Sequence, residues 1–144
     1  MFYELWLLSL TFYEKIQSKD ACIWTYDFVY ELYAHLSEQG VYITNLAKCT
    51  QSNAKSLPNL VFREHLDIIH EEIDSIQPQN IIAFWNQVSS MLLGKQISVS
   101  SYEKFESYDV LCTKKADYKM YPCYYPVWIW YRNMNKSITK IASL

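Results

Sequence analysis

The stretch "HLDIIHEEIDSIQPQNIIAFWNQVSSMLLGK", residues 65–95, carries three successive instructions to the backbone. Apolar residues recur at helical spacing from Leu60 to Gln77, and Pro78 ends that helix because it cannot continue it. "NIIAFW", residues 80–85, is short and almost continuously apolar, the pattern of a strand buried on both faces in a parallel sheet. "NQVSSMLLGK" then reads as a compact helix closed by Gly94. Helix, strand and helix in quick succession point to an α/β domain.

Upstream, helices are expected over residues 2–18 and 25–38. The second shows Phe28, Leu32 and Leu36 on one face and Gly40 as its stop. The run "GVYITNLAKCTQSNAK", residues 40–55, then reads as a strand over 41–46 that reaches Asn45 and breaks into a polar loop. Asparagine is disfavoured in strands and costly to bury without partners. Its amide either reads a ligand or ties down the turn that follows. Downstream, residues 96–120 are mixed, with one short strand. "YPCYYPV" reads as a strand with Pro126 near its end, and residues 131–144 as a closing helix. The expectation is a three-layer α/β domain with a short, mainly parallel central sheet flanked by helices, in which 41–46, 80–85 and about 121–125 are adjacent strands. Ligands bind beyond the carboxyl ends of such strands, where Asn45 and the "YYPVW" turn both fall.

Composition removes several function classes. With 144 residues, half of them hydrophobic, the chain can build a real core, and its formal net charge of −2 offers no general field for nucleic acid. Two glycines, Gly40 and Gly94, exclude Gly-rich phosphate loops. Cys22, Cys49, Cys112 and Cys123 are widely spaced, which suits reduced thiols in a cytoplasmic protein better than disulfides or zinc. The apolar opening "MFYELWLLSLTFY" is too short to span a bilayer and is interrupted by Glu4, so it reads as a buried amphipathic helix and no membrane is expected. His65, His70, Glu71 and Glu72 share a helix without HExxH spacing, and a solvated charged face is the expectation there, with no metal.

Taken in order, "YITNLAKC", a polar loop, "HLDIIHEEIDSIQPQNIIAFWNQVSSMLLGK" and "YYPVWIWYRNMNK" resemble the uracil-DNA glycosylase superfamily over about residues 24–141. Members typically show a strand ending in Asn, a proline before a strand, a helix ending in "LLG", and a second active-site loop built on His-Pro-Ser. The resemblance implies that Asn45 reads the Watson–Crick edge of a flipped uracil, since a carboxamide both donates and accepts. It places Tyr125 where the loop histidine donates to the departing base. It also implies that Arg132 and Lys136 hold DNA phosphate, and that Trp128 and Trp130 wedge into the stack the base has left.

The departures bear on activity. The Gly-rich first motif is missing, so the chain reads as a single domain over 1–144 truncated at its N-terminal side. Asp27 is the carboxylate nearest the expected water-activating position, within a helical pattern that also suits capping. Cys49 matches one ligand of the four-iron cluster found in some branches, but the other three have no counterpart, and no cofactor is expected. The resemblance thus implies a uracil-DNA glycosylase of reduced rate, whose partner is uracil-containing DNA. The alternative is a catalytically inactive member acting as a DNA-binding or protein-interaction module. Loss of the first strand would also bare a sheet edge. The N-terminal helix, with Trp6, Leu7, Leu8 and Leu10, would cover that edge, or a second chain would, as in a homodimer.

Overall fold

The computed structural model describes residues 7–17, 22, 24–49, 57–104, 106–124 and 131–144, apart from the side chains of Tyr131 and Arg132. The chain divides into two compact units, Met1–Thr44 and Asn45–Leu144.

In the first unit, α1 (Leu10–Gln17) is shorter than the helix expected over 2–18, of which residues 2–6 and 18 lie outside the described residues. Helix α2 (Tyr26–Glu38) starts where Thr25, in extended conformation, accepts a hydrogen bond from the Phe28 amide at 3.2 Å. That satisfies one of the donors a helix start leaves open. Phe28 and Leu36 are buried, with Phe28 against Phe12 at 6.0 Å and Trp24 at 5.5 Å between ring centres. The helix stops as Gly40 suggests. Gly40 takes φ +73°, its N–H donates to the Ser37 carbonyl, and the Val41 N–H reaches back to Leu36. This double closure satisfies the last carbonyls and needs the left-handed residue glycine supplies.

Residues 41–46 depart from expectation. Burial alternates along Val41–Thr44, but the segment pairs with no strand of the sheet. A period of two reports an extended chain with one sheltered side. It does not provide the neighbouring backbone that makes a ladder.

In the second unit, the helix expected over 60–77 is two helices, α3 (Asn59–Glu64) and α4 (Leu66–Ile76). His65 makes the break. Its backbone leaves helical values (φ −105°, ψ −1°), and its Nδ1 lies 2.8 Å from the Val61 carbonyl oxygen. Phe62 and Ile69 still pack with Leu46 in one core cluster. Strand β1 (Asn80–Phe84) follows, then α5 (Asn86–Leu93), ended at Gly94 with φ +63°. A 3-10 turn at Val99–Tyr102 leads to the hairpin of β2 (Asp109–Cys112) and β3 (Asp117–Cys123), and α6 (Tyr131–Ala142) closes the chain.

The sheet order is β1-β3-β2, with β1 parallel and β2 antiparallel to β3, so the sheet is mixed. Strands β1 and β3 are neighbours as expected, although β3 starts and ends earlier than the strand expected at about 121–125, in a register that sets Asn80 beside Lys119 and Phe84 beside Cys123. The hairpin is pinned by Thr113, whose hydroxyl donates to buried Asp74 of α4 and accepts from the Ala116 amide at 3.2 Å. Ala83, Leu111 and Met120 form the core beneath α5, packed on by Val88 and Leu92.

A proline in a central strand needs an explanation, because it cannot donate to a ladder. Strand β2 pairs with β3 only as far as Met120, so among the described residues Pro122 has β1 on one side and no strand on the other. Helix α6 covers that side. Lys140 Nζ lies 3.5 Å from the Pro122 carbonyl oxygen, and Ser137 Oγ accepts from the Tyr124 amide at 3.0 Å. The same Oγ lies 3.3 Å from the Tyr124 carbonyl oxygen. Side chains of a helix thus stand where a longer β2 would have continued the ladder.

Candidate functional site

The carboxyl ends of parallel β1 and β3 open into a cleft of about 160 Å³. Trp85 and Asn86 enter it directly after β1, Tyr124 directly after β3, and Asn133 from the first turn of α6. The rim is completed by the segment Ser98–Ser100. A second hollow, of about 520 Å³, lies at the opposite, amino end of β1 beside Pro78–Asn80 and Lys119. The carboxyl end is the better candidate, because there the strands release their chains into loops whose side chains converge.

Trp85 joins β1 to α5 with φ +86° and ψ +144°, a region that favours glycine. A non-glycine residue there carries about 1–3 kcal/mol of strain. Backbone bonds hold it on both sides. The Trp85 N–H donates to the Cys123 carbonyl at 3.0 Å, and the Trp85 carbonyl accepts from the Ser89 amide at 3.0 Å. Asn86 Oδ1 accepts from the Val99 amide at 2.8 Å, which fixes the rim, while Ser98 and Ser100 hydroxyls lie 2.8 Å apart. Asn133 is half-buried, and its carboxamide makes no hydrogen bond to any described residue.

Tyr124 is oriented by charge. Its hydroxyl donates to Glu103 Oε1 at 2.6 Å, and Lys136 Nζ donates to the same oxygen at 2.8 Å. The Lys136 ammonium also stands 5.9 Å from the Tyr124 ring centre. Burial first, and then the bond to Glu103, pushes the Tyr124 phenol up to about 12. Lys136 first, and then Tyr124, holds the Glu103 carboxyl below the ordinary carboxylate range. At neutral pH the phenol is therefore a neutral donor and Glu103 a carboxylate already committed to two partners.

Beneath this, Lys140 is almost fully buried, at 2 % exposure. Its ammonium donates to the carbonyls of Tyr102 at 2.6 Å and Ser107 at 2.7 Å besides that of Pro122, and stands over the Tyr121 ring at 5.6 Å. Burial lowers its pKa.

The residues singled out from sequence are placed as follows. Asn45 is exposed, immediately before buried Leu46, and does not line the cleft. Asp27 is exposed in the first turn of α2, a position that suits a carboxylate at the positive end of a helix. Lys136 is exposed on α6 and paired with Glu103. Arg132 lies in the first turn of α6, its side chain outside the described residues. Tyr125, Trp128 and Trp130 also lie outside them. Glu72 pairs with Lys48 at 2.7 Å, which ties α4 to the segment after Asn45. Cys49 is an exposed free thiol. Trp85, Asn133, Glu103 and Lys140 were not anticipated. A tryptophan carries no turn signal, and a lysine in an amphipathic helix reads as solvated.

The sequence model of the uracil DNA glycosylase superfamily matches residues 11–143. The chain belongs to that superfamily. The match spans both units, and a small α/β fold with a three-stranded mixed sheet agrees with it. No curated protein and no solved structure matches the chain. Among the described residues, no helix is long and apolar enough to cross a membrane.

Proposed function

We propose that this superfamily member recognises uracil in DNA and cleaves its N-glycosidic bond slowly. The match over residues 11–143 carries the reading, and a cleft at the joint carboxyl end of β1 and β3, next to Tyr125 in sequence, supports it. In this reading Asn45 presents its amide to the base edge and Tyr125, the residue after Tyr124, donates to the base as it leaves. Trp128 and Trp130 fill the vacated stack, while Arg132 and Lys136 take phosphate. Lys136 must then share its charge between DNA and Glu103, which weakens its hold.

A slow rate follows from chemistry. A phenol replaces an imidazole, and the described cleft lining contains no carboxylate to activate water. The same observation favours the second reading, a non-catalytic member that binds DNA or protein through this surface. The deciding experiment is a cleavage assay on a uracil-containing single-stranded oligonucleotide, with abasic-site formation as readout and Asn45→Ala as control. Activity lost with Asn45→Ala supports the first reading. Binding without turnover, at low salt where phosphate contacts are strongest, supports the second.

A further inference from the structure

We infer that the face of α2 turned away from its buried side docks a basic protein segment. Arginine and lysine side chains of that segment lie over a row of tyrosines and reach the carboxylates beside it. The inference is independent of the glycosylase reading.

The row is Tyr26, Tyr30 and Tyr33, at i, i+4 and i+7 of α2, so the three share one face of the helix. They are 82 %, 66 % and 47 % exposed, and the Tyr26 and Tyr30 rings stack with 6.4 Å between their centres. The packing of the helix is supplied elsewhere on it, by buried Phe28 and Leu36, so the tyrosines add nothing to that core. Nor do they favour the helix itself, since tyrosine is a poorer helix former than alanine, lysine or glutamate. Aligned, solvent-facing rings are what a contact surface requires. Tyrosine joins a large apolar face to a hydroxyl that tolerates water, which is why it is enriched at interfaces.

Charge selects the occupant. Asp27, Glu31 and Glu38 follow a neighbouring row, about 100° round the helix from the tyrosines. All three are exposed, and none is ion-paired with a described residue. Lys15 stands over the Phe28 ring, on the opposite face, and leaves them unmatched. Residues 24–47 contain no lysine or arginine at all. A single strand of nucleic acid stacks its bases on aromatic rows only where a positive groove holds its phosphates, and here they would meet carboxylates. A second copy presenting the same face would double the carboxylates and bring no cation to them. A basic segment suits both rows. Its cations are held by the ring faces when they come within about 6 Å of a ring centre, and the adjacent carboxylates accept their hydrogen bonds. With 13 residues, α2 offers a contact only about 20 Å long, so the complex is weak, transient and sensitive to salt.

The test titrates the full chain into a fluorescein-labelled helical peptide of arginine, alanine and leucine, as long as α2, and follows fluorescence anisotropy. Binding is expected at low salt and should fall as salt is raised. Replacing the row together, Tyr26→Ala with Tyr30→Ala and Tyr33→Ala, should weaken it at least tenfold, whereas phenylalanine at the same positions should retain it. Glu31→Lys with Glu38→Lys should also weaken it at least tenfold. Alanine is the better helix former, so the alanine variant should melt no lower than wild type, which separates a lost surface from a damaged fold. In a ¹⁵N-labelled chain the peptide should shift the amide signals of Tyr26–Glu38. The inference is overturned if the arginine peptide does not bind, if its binding survives the alanine variant, or if a glutamate peptide binds equally well. It is also overturned if the tyrosines are needed for binding a single-stranded oligonucleotide, or for self-association of the chain, and not for the peptide. Cleavage of uracil-containing DNA is scored separately and bears only on the glycosylase reading.

Discussion

Replacing Lys140 with methionine keeps most of the side chain's length and apolar stem while removing only the ammonium. Three carbonyls lose their donor. The bonds to Tyr102 and Ser107, at 2.6 and 2.7 Å, are strong, and the one to Pro122, at 3.5 Å, counts little. Two sheltered acceptors left unmatched cost about 1–3 kcal/mol each, so the gross loss is about 2–6 kcal/mol. Against this, the variant no longer buries an ammonium, a penalty that lowers the pKa of Lys140. The carbonyls should win, because they belong to three separate segments that the ammonium holds together. The expected net loss is about 2 kcal/mol, or a fall in Tm of about 6–10 °C for a chain of this size.

Thermal melts and urea titrations measure it, and the urea slope should stay unchanged. A pH series adds a second signature. The native state binds the Lys140 proton less tightly than the unfolded chain does. Wild-type stability therefore rises as pH climbs from the lowered native pKa towards the ordinary 10.5, an increment the methionine variant lacks. A variant that melts at or above the wild-type temperature would refute the reasoning, since the carbonyls would then be content with water or with one another.

Tyr124→Phe removes a phenol whose pKa is raised to about 12. Its contribution is fully present below the ordinary value of 10 and is lost as pH rises from about 10 to about 12, so the gap in Tm between wild type and variant should close across that window. Thr25→Ala deletes the cap of α2 and should cost about 1 kcal/mol, read from the urea midpoint. In the oligonucleotide assay, Tyr125→His should raise the cleavage rate and Tyr125→Phe should lower it if the hydroxyl is the donor. Equal rates for all three would remove Tyr125 from the reaction.

Elements with both a period and a punctuation mark were legible. Helix α2 announces itself through Phe28, Leu36 and Gly40, and β1 with α5 through an apolar run followed by Gly94. Residues 41–46 alternate yet pair with no strand of the sheet, because alternation is local whereas pairing depends on a neighbour remote in sequence. His65 broke a helix that its periodicity carried straight through, by a side chain that binds its own backbone. The hairpin of β2 and β3 was hidden by a turn without Asn-Gly or Asp-Gly, and β3 begins at Asp117, before the strand expected at about 121–125. The convergence of β1 and β3 on one cleft followed from their parallel pairing. Which residues line it did not, since the strain at Trp85 and the open amide of Asn133 exist only in three dimensions.

The grip of α6 on β3 also has a consequence for engineering. Ser137 and Lys140 fasten the helix to the backbone of Tyr124 and Pro122, so α6 is held to the end of β3 by its own side chains. The docking of α6 can therefore be loosened by substituting Ser137 and Lys140 alone, with the pairing of β1 and β3 left intact.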